Sequence, residues 1–271
     1  MSNYSALLTK LRETKPLVHH ITNYVTVNDC ANITLAIGAS PVMADDIGEA
    51  ADIAAIAKAV VLNMGTLNKH TIPSMIAAGI SANAKGIPVI FDPVGAGASK
   101  LRNETAVNLI KEVKLSVIRG NISEIRFIAG LQSQTKGVDA SESDIAGADS
   151  AGQTAKELAQ KLNCTVVVSG AIDAVSDGKK IVLIENGHPM LGNLTGTGCM
   201  CSSLIGSFCG ANPDNTFNAA AAAMLCMGIA GELAFEKTGH LGNGSFRAAL
   251  HDAVSRMDAQ ILAKLARYNE K

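Results

Sequence analysis

Three short segments of this chain pair glycine with polar or charged residues in a spacing suited to anion and metal chemistry. The first is Phe91-Asp92-Pro93-Val94-Gly95-Ala96-Gly97, where a carboxylate closes an apolar run and a glycine-rich turn follows. A carboxylate there stands at the mouth of a crevice and suits a hard cation such as Mg²⁺, held through oxygen and water. The same aspartate, ahead of Pro and Gly, serves equally as the cap of the next turn. The second segment is Arg119-Gly120-Asn121-Ile122-Ser123-Glu124. Asn121 is a good helix N-cap, and Glu124, three residues on, completes a capping box. The arrangement also sets a carboxylate and a positive helix end beside the first loop, with Arg119 as an added cation, which suits a metal-bound triphosphate. The third is Asn193-Leu194-Thr195-Gly196-Thr197-Gly198-Cys199, leading into an apolar helix. Gly196 and Gly198 let consecutive backbone N–H groups turn toward one point, an anion hole reinforced by the helix dipole. The segment is neither a P-loop, which needs a following Lys-Ser/Thr, nor a Gly-x-Gly-x-x-Gly fingerprint. A thiol at a helix N-terminus, as at Cys199, can titrate below its usual ~8.5; alternatively Cys199 fills a small space.

Such loops need strands to hold them, and in open α/β sheets ligands gather beyond the carboxyl ends of the strands. Apolar runs predict strands at Val60–Asn63, Pro88–Phe91, Leu115–Ile118, Thr165–Val168 and Ile181–Ile184. Most are nearly continuous in hydrophobicity, as strands covered on both faces require. Ser176-Asp177-Gly178-Lys179 is a turn signal that predicts a hairpin between Ala171–Val175 and the last strand. Helical periodicity falls at Val27–Ile37, Glu49–Lys58, Lys69–Asn83, Glu104–Val113, Ala151–Leu162, Gly198–Phe208, Phe217–Phe235 and Ser245–Lys264. This alternation predicts βαβ units in a single domain, residues 1–271: a three-layer α/β/α sandwich with a mainly parallel sheet and a helical C-terminal third.

Composition narrows the function. The 271 residues are 48% hydrophobic and 17% charged, with a net charge of -1. No Lys/Arg block offers counterion release, which argues against nucleic acid as a partner. The six cysteines form no CxxC pair, and Met-Ser-Asn-Tyr-Ser resembles no secretory leader, so reduced thiols and a soluble cytoplasmic protein are expected. The apolar runs Cys199–Gly210 and Ala219–Gly231 fall short of the ~20 residues of a bilayer span and predict buried helices. His19 and His20 are adjacent, so on a strand they face opposite ways and cannot readily share an ion. The stretch Gly239–Gly244 predicts a helix–helix connection with Ser245 as the next cap.

Six blocks in order resemble the ribokinase-like superfamily and, within it, the hydroxyethylthiazole kinases of thiamin salvage. They are Pro16–Asn23, Gly38–Met43, Leu62–Leu67, Asp92–Gly97, Ile118–Asn121 with Glu124, and Thr195–Cys199. The resemblance covers nearly the whole chain. It implies a ribokinase-like fold without a lid and transfer of phosphate from ATP, with Mg²⁺, to the hydroxyethyl group of the thiazole moiety of thiamin. It implies ATP contacts at Arg119 and Ser169, and Mg²⁺ organised by Asp92 and Glu124. It places the thiazole near Met43 and Gly196, with Asn23 also on the substrate side, and the reaction at Gly196, Gly198 and Cys199. Members of this type are trimers with substrate sites between subunits. Many ribokinase-like enzymes have Gly-Asp where this chain has Gly198-Cys199, which leaves the base open. A dehydratase of hydrated nicotinamide cofactors, a pyrimidine kinase and a silent sensor are the alternatives; the Gly38–Met43 block favours the thiazole enzyme, and the retained Asp92 and Glu124 oppose a sensor.

Overall fold

The computed structural model describes residues 3–134 and 148–271. In chain order the elements are α1 (Asn3–Thr14), β1 (Leu17–Ile21), α2 (Val27–Ile37), β2 (Ser40–Met43), α3 (Ala50–Ile56), β3 (Ala59–Asn63) and α4 (Thr71–Ala84). They continue with β4 (Val89–Asp92), α5 (Lys100–Glu112), β5 (Val117–Asn121), α6 (Ile122–Gln134), α7 (Ala148–Leu162), β6 (Thr165–Ser169), β7 (Asp173–Ser176) and β8 (Ile181–Ile184). The C-terminal part adds α8 (Thr197–Ala211), α9 (Thr216–Thr238), α10 (Asn243–Arg256), α11 (Ala259–Leu265) and β9 (Tyr268–Glu270).

The strands form one sheet in the order β2-β1-β3-β4-β5-β6-β7-β8-β9. From β2 through β6 neighbours run parallel; β7, β8 and β9 add antiparallel. The period-two alternation of a strand sends Val61, Ile90, Val117 and Val167 to one core, with α1, α2 and α8 to α11. It sends Val60, Leu62, Phe91, Ile118 and Val166 to the other, with α3 to α7. The three-layer α/β/α sandwich with a mainly parallel sheet is thus observed. Close packing needs small residues where helix meets sheet. A Cβ on Gly206 of α8 would come within 2.6 Å of Val61 Cγ2, so α8 lies nearer the sheet than a larger residue would permit. The alanines Ala219–Ala223 of α9 are fully buried for the same reason. The α9 segment is long and apolar enough to cross a membrane, but 83% of that window is buried inside the fold, as in a core helix.

Several expected boundaries move. β5 begins at Val117 and runs to Asn121, so Arg119 and Gly120 belong to the strand rather than to the loop after it. The strands β1, β2 and β9 and the helix α1 were not expected, whereas α6 follows the Asn121 cap as the capping box implies. His19 and His20 interrupt the apolar signature of β1; both are buried, with His19 Nε2 bonded to the Ala44 carbonyl at 2.7 Å. β2 carries Pro41, tolerated because it is an edge strand. The helix expected over Ser245–Lys264 is two helices: Met257 leaves the helical conformation at φ -59°, ψ 123°, and the extended Asp258 caps α11 by accepting from the Gln260 and Ile261 N–H groups at 2.9 and 2.7 Å. α10 starts at Asn243 after Gly242, so Ser245 lies inside its first turn and is not the cap.

Candidate active site

Four adjacent parallel strands end in polar residues. Asn63 closes β3 in register with Asp92 of β4, and Asn121 closes β5 in register with Ser169 of β6. Counting by twos from the buried valines and isoleucine, Asn63, Asp92, Arg119 and Ser169 share the sheet face covered by α8. The N-terminus of α8 arrives above them. Its first helical bond runs from the Met200 N–H to the Gly196 carbonyl at 2.8 Å, so the amides of Thr197, Gly198 and Cys199 lie ahead of the bonded turns. Gly196 takes φ 90°, and a Cβ there would come within 2.5 Å of Thr26 Cγ2.

Asp92 is 1% exposed. Its Oδ2 accepts from Ser202 Oγ at 2.7 Å and Asn63 Nδ2 at 2.8 Å, and Arg119 Nη1 lies 3.8 Å away. Its Oδ1 is buried with no partner. Burial pushes the carboxyl above its usual range, while Arg119, Ser202 and Asn63 pull it back. Arg119 is itself nearly buried and donates from Nη2 to Ser169 Oγ at 2.8 Å. Its guanidinium lies over Gly198, where a Cβ would meet Nη1 at 2.5 Å. Gly198 therefore has a use beyond freeing backbone amides: it makes room for Arg119.

The capping box is formed. Glu124 N–H donates to Asn121 Oδ1 at 2.9 Å, and Asn121 N–H donates to Glu124 Oε2 at 2.8 Å. Glu124 Oε1 also accepts from the Gly95 N–H at 2.8 Å, which ties the Asp92 loop to α6. Capping and site-building are thus one arrangement. Arg102 fastens the same loop from outside, donating to the carbonyls of Met64, Val94 and Gly65.

Cys199 is partly exposed, and its sulfur accepts from Asn23 Nδ2 at 3.2 Å and Asn63 Nδ2 at 3.3 Å. Its thiol is raised, not lowered as a helix end alone would make it. Burial is the main cause and the Asp92 charge adds to it, outweighing the bonds from Thr26, Asn23 and Asn63. Asn23, expected to face substrate, is 4% exposed with its amide committed to Thr26, Asn63 and Cys199.

Two cavities flank this centre. One of about 490 Å³ is lined by Arg119, Ser169, Thr197 and Gly198 together with the apolar Leu191 and Met227. A smaller one of about 260 Å³ is lined by His20, Tyr24, Met43, Asp45 and Thr66. Met43 therefore lies apart from the Arg119 cavity. For a divalent cation, the orphaned Asp92 Oδ1 is a free acceptor, and the Glu124 oxygens keep lone pairs beyond their single N–H bonds. Among the described residues no cluster of three or more His, Cys, Asp or Glu could hold a metal alone. The donors fit a cation that arrives with phosphate oxygens and water.

Sequence reasoning missed Asn63, Ser202, Arg102 and Asp173. Asn63 had a signal: like Asp92, it is the polar end of a buried strand. Asp173 lines the larger cavity, and burial raises its carboxyl to about 6 from 3.8, against the Gly170 N–H bond and Arg119. Between those pH values the folded chain holds a proton that the unfolded chain has lost, so stability falls as pH rises through the window. Asp173→Asn should accordingly stabilise the protein at pH 7.5 by ~1–3 kcal/mol and have little effect near pH 4. Thermal unfolding across that range checks it; a stabilisation that does not shrink on acidification contradicts the assignment.

The α/β/α sandwich with this mainly parallel sheet is a ribokinase-like fold. A ribokinase-like superfamily protein from Enterococcus faecalis superposes with TM-score 0.62 at 12% identity, covering 93% of this chain and 89% of that one, a likeness of fold alone. Residues 8–260 match the hydroxyethylthiazole kinase family. A hydroxyethylthiazole kinase from Ruminiclostridium cellulolyticum is 60% identical over 274 residues, with 100% of both chains covered. A solved hydroxyethylthiazole kinase structure from Pyrococcus horikoshii matches with TM-score 0.91 and 36% identity over 100% of both chains. The chain belongs to the hydroxyethylthiazole kinase family.

Proposed function

We infer that this protein transfers the γ-phosphoryl group of ATP to the hydroxyl of hydroxyethylthiazole. The observation that carries the reading is the meeting of Asp92, Arg119 and the open amides of α8 beside a cavity of about 490 Å³, in a chain of this family. Arg119 and Ser169 hold the nucleotide phosphates, and the amides of residues 197–199 receive the oxygens of the transferred group. Leu191 and Met227 give the nucleotide cavity an apolar wall for the base. Asp92 and Glu124 would hold Mg²⁺ through phosphate oxygens and water. When bound, the ion neutralises charge on the β- and γ-phosphates. The alcohol lies beside Cys199, with Met43 and Gly196 on its side. Phosphoryl transfer has a loose transition state, so positioning and charge neutralisation outweigh proton abstraction. A raised thiol suits that balance: Cys199 is mostly protonated at neutral pH and acts by placement. Residues 1–271 work as one kinase domain. The reading is tested by ADP release from ATP and Mg²⁺ with and without the thiazole alcohol; release indifferent to the alcohol counts against it.

The thiazole site is completed by a second subunit in a trimer. Tyr24, Val25 and Ile47 stand 78%, 56% and 57% exposed in or beside the segments bordering the Met43 cavity, which gives that edge an apolar surface to cover. Dilution to folded monomers, or Val25→Glu with Ile47→Glu, neither of which lines the cavity, should abolish thiazole binding and spare nucleotide binding, as read by calorimetry. Monomers with full thiazole affinity would refute the shared site.

A further inference from the structure

Asn63 is 1% exposed and lines neither cavity, yet its whole amide is engaged. Its Oδ1 accepts from Asn23 Nδ2 at 2.9 Å and from the Gly65 N–H at 2.8 Å. Its Nδ2 donates to Asp92 Oδ2 at 2.8 Å and to Cys199 Sγ at 3.3 Å. Two donors reach Oδ1 and two acceptors receive Nδ2, so the amide has one workable orientation; flipped, it would set its NH₂ against two donors. Asn23 is fixed likewise, its Oδ1 accepting from the Thr26 N–H and Oγ1 at 3.1 and 3.0 Å. The Cys199 sulfur is therefore held by two rigid N–H donors, with its own hydrogen turned away from both. A cysteine that only fills space behaves as a small hydrophobe and needs no such pair.

We propose that Asn63 is a positioning residue for phosphoryl transfer, fixing the Cys199 sulfur and the Asp92 carboxylate relative to one another through a single amide. This rests on the function inferred above and extends it to a residue that touches neither nucleotide nor alcohol. It places the reaction's geometric reference at the end of β3, the strand next to the one that ends in Asp92.

The test removes the Asn63 amide without adding charge. Asn63→Leu keeps the branching and removes both donors and the acceptor; kcat should fall ~10- to 100-fold, the range for losing bonds to charged groups, while KM for ATP and for the alcohol stays within about twofold. A second reading needs no turnover. Cys199 alone among the six cysteines is not buried, so iodoacetamide labelling of its peptide, followed by mass spectrometry without ATP or Mg²⁺, reports on that sulfur. N–H donors on sulfur favour the reactive thiolate, so labelling at fixed pH should slow ~5- to 10-fold in Asn63→Leu. A merely loosened fold would expose the thiol and speed labelling. If Asn63→Leu does not fold, Asn63→Ala also withdraws both donors, adds no charge beside Asp92, and should give the same two results. Labelling that is unchanged or faster, or a defect confined to KM, overturns the proposal. Slowed labelling in a protein whose wild type phosphorylates no thiazole alcohol would overturn the function while supporting the hold of Asn63 on the sulfur.

Discussion

Gly198→Val should lower kcat by ~10³-fold or more with the far-UV circular dichroism unchanged. Two effects combine. A Cβ at this position comes within 2.5 Å of Arg119 Nη1 and 3.1 Å of Nη2. That guanidinium is not a free end able to swing aside, because it is buried between Ser169 Oγ at 2.8 Å and the Asp92 carboxylate at 3.8 Å. Moving it unseats the cation proposed to face the phosphates and unbalances a buried carboxylate. The side chain also disturbs the α8 amides, and losing one such donor alone costs ~10²–10³-fold. The fold survives because the position lies in the first turn of α8, clear of the packed stretch around Gly206. An active Gly198→Val protein, measured at saturating ATP and thiazole, would remove both the anion cradle and the role of Arg119.

Asp92→Asn should lower kcat by ~10²-fold at saturating Mg²⁺ and by more when Mg²⁺ is limiting, with the half-saturating Mg²⁺ concentration raised. The amide keeps the outline of the carboxylate and one acceptor for Ser202 and Asn63, so the fold should hold. What it loses is charge at the unpartnered Oδ1, the atom left over for a cation and its water. The measurement is a Mg²⁺ titration of initial rate for wild type and variant. Equal losses at every Mg²⁺ concentration would assign Asp92 to orienting Arg119 alone.

The parallel half of the sheet was readable because buried strands advertise themselves: Ala59–Leu62 and Thr165–Val168 are unbroken apolar or β-branched runs ending at polar residues. β1 was not readable, since His19 and His20 replace apolar residues and are reconciled with burial only by partners such as the Ala44 carbonyl, distant in sequence. β9, with Tyr268-Asn269-Glu270, pairs at the sheet edge with exposed side chains and leaves no pattern. In the site, the segments at Asp92, Arg119 and Gly196–Cys199 stood out because glycine beside a polar or charged residue is unusual at strand and helix ends. Asn63 and Ser202 did not, since a lone amide or hydroxyl acquires meaning only when another strand or helix brings a carboxylate within 2.8 Å. Of the two readings of Cys199, the lowered thiol does not hold, for a related reason. A helix end is visible in sequence, whereas the burial and the neighbouring Asp92 that outweigh it are not.

One crevice, between α8 and the ends of β3 to β6, is proposed to carry phosphate from ATP to the thiazole alcohol. Phosphorus NMR of a reaction containing the purified protein, ATP, Mg²⁺ and hydroxyethylthiazole tests it most directly. A new phosphate monoester resonance should grow in step with ADP, identified as thiazole phosphate by mass spectrometry and reduced at least ~10²-fold in rate in Asp92→Asn and Gly198→Val. ADP accompanied only by inorganic phosphate, or ester formation undiminished in both variants, would contradict it.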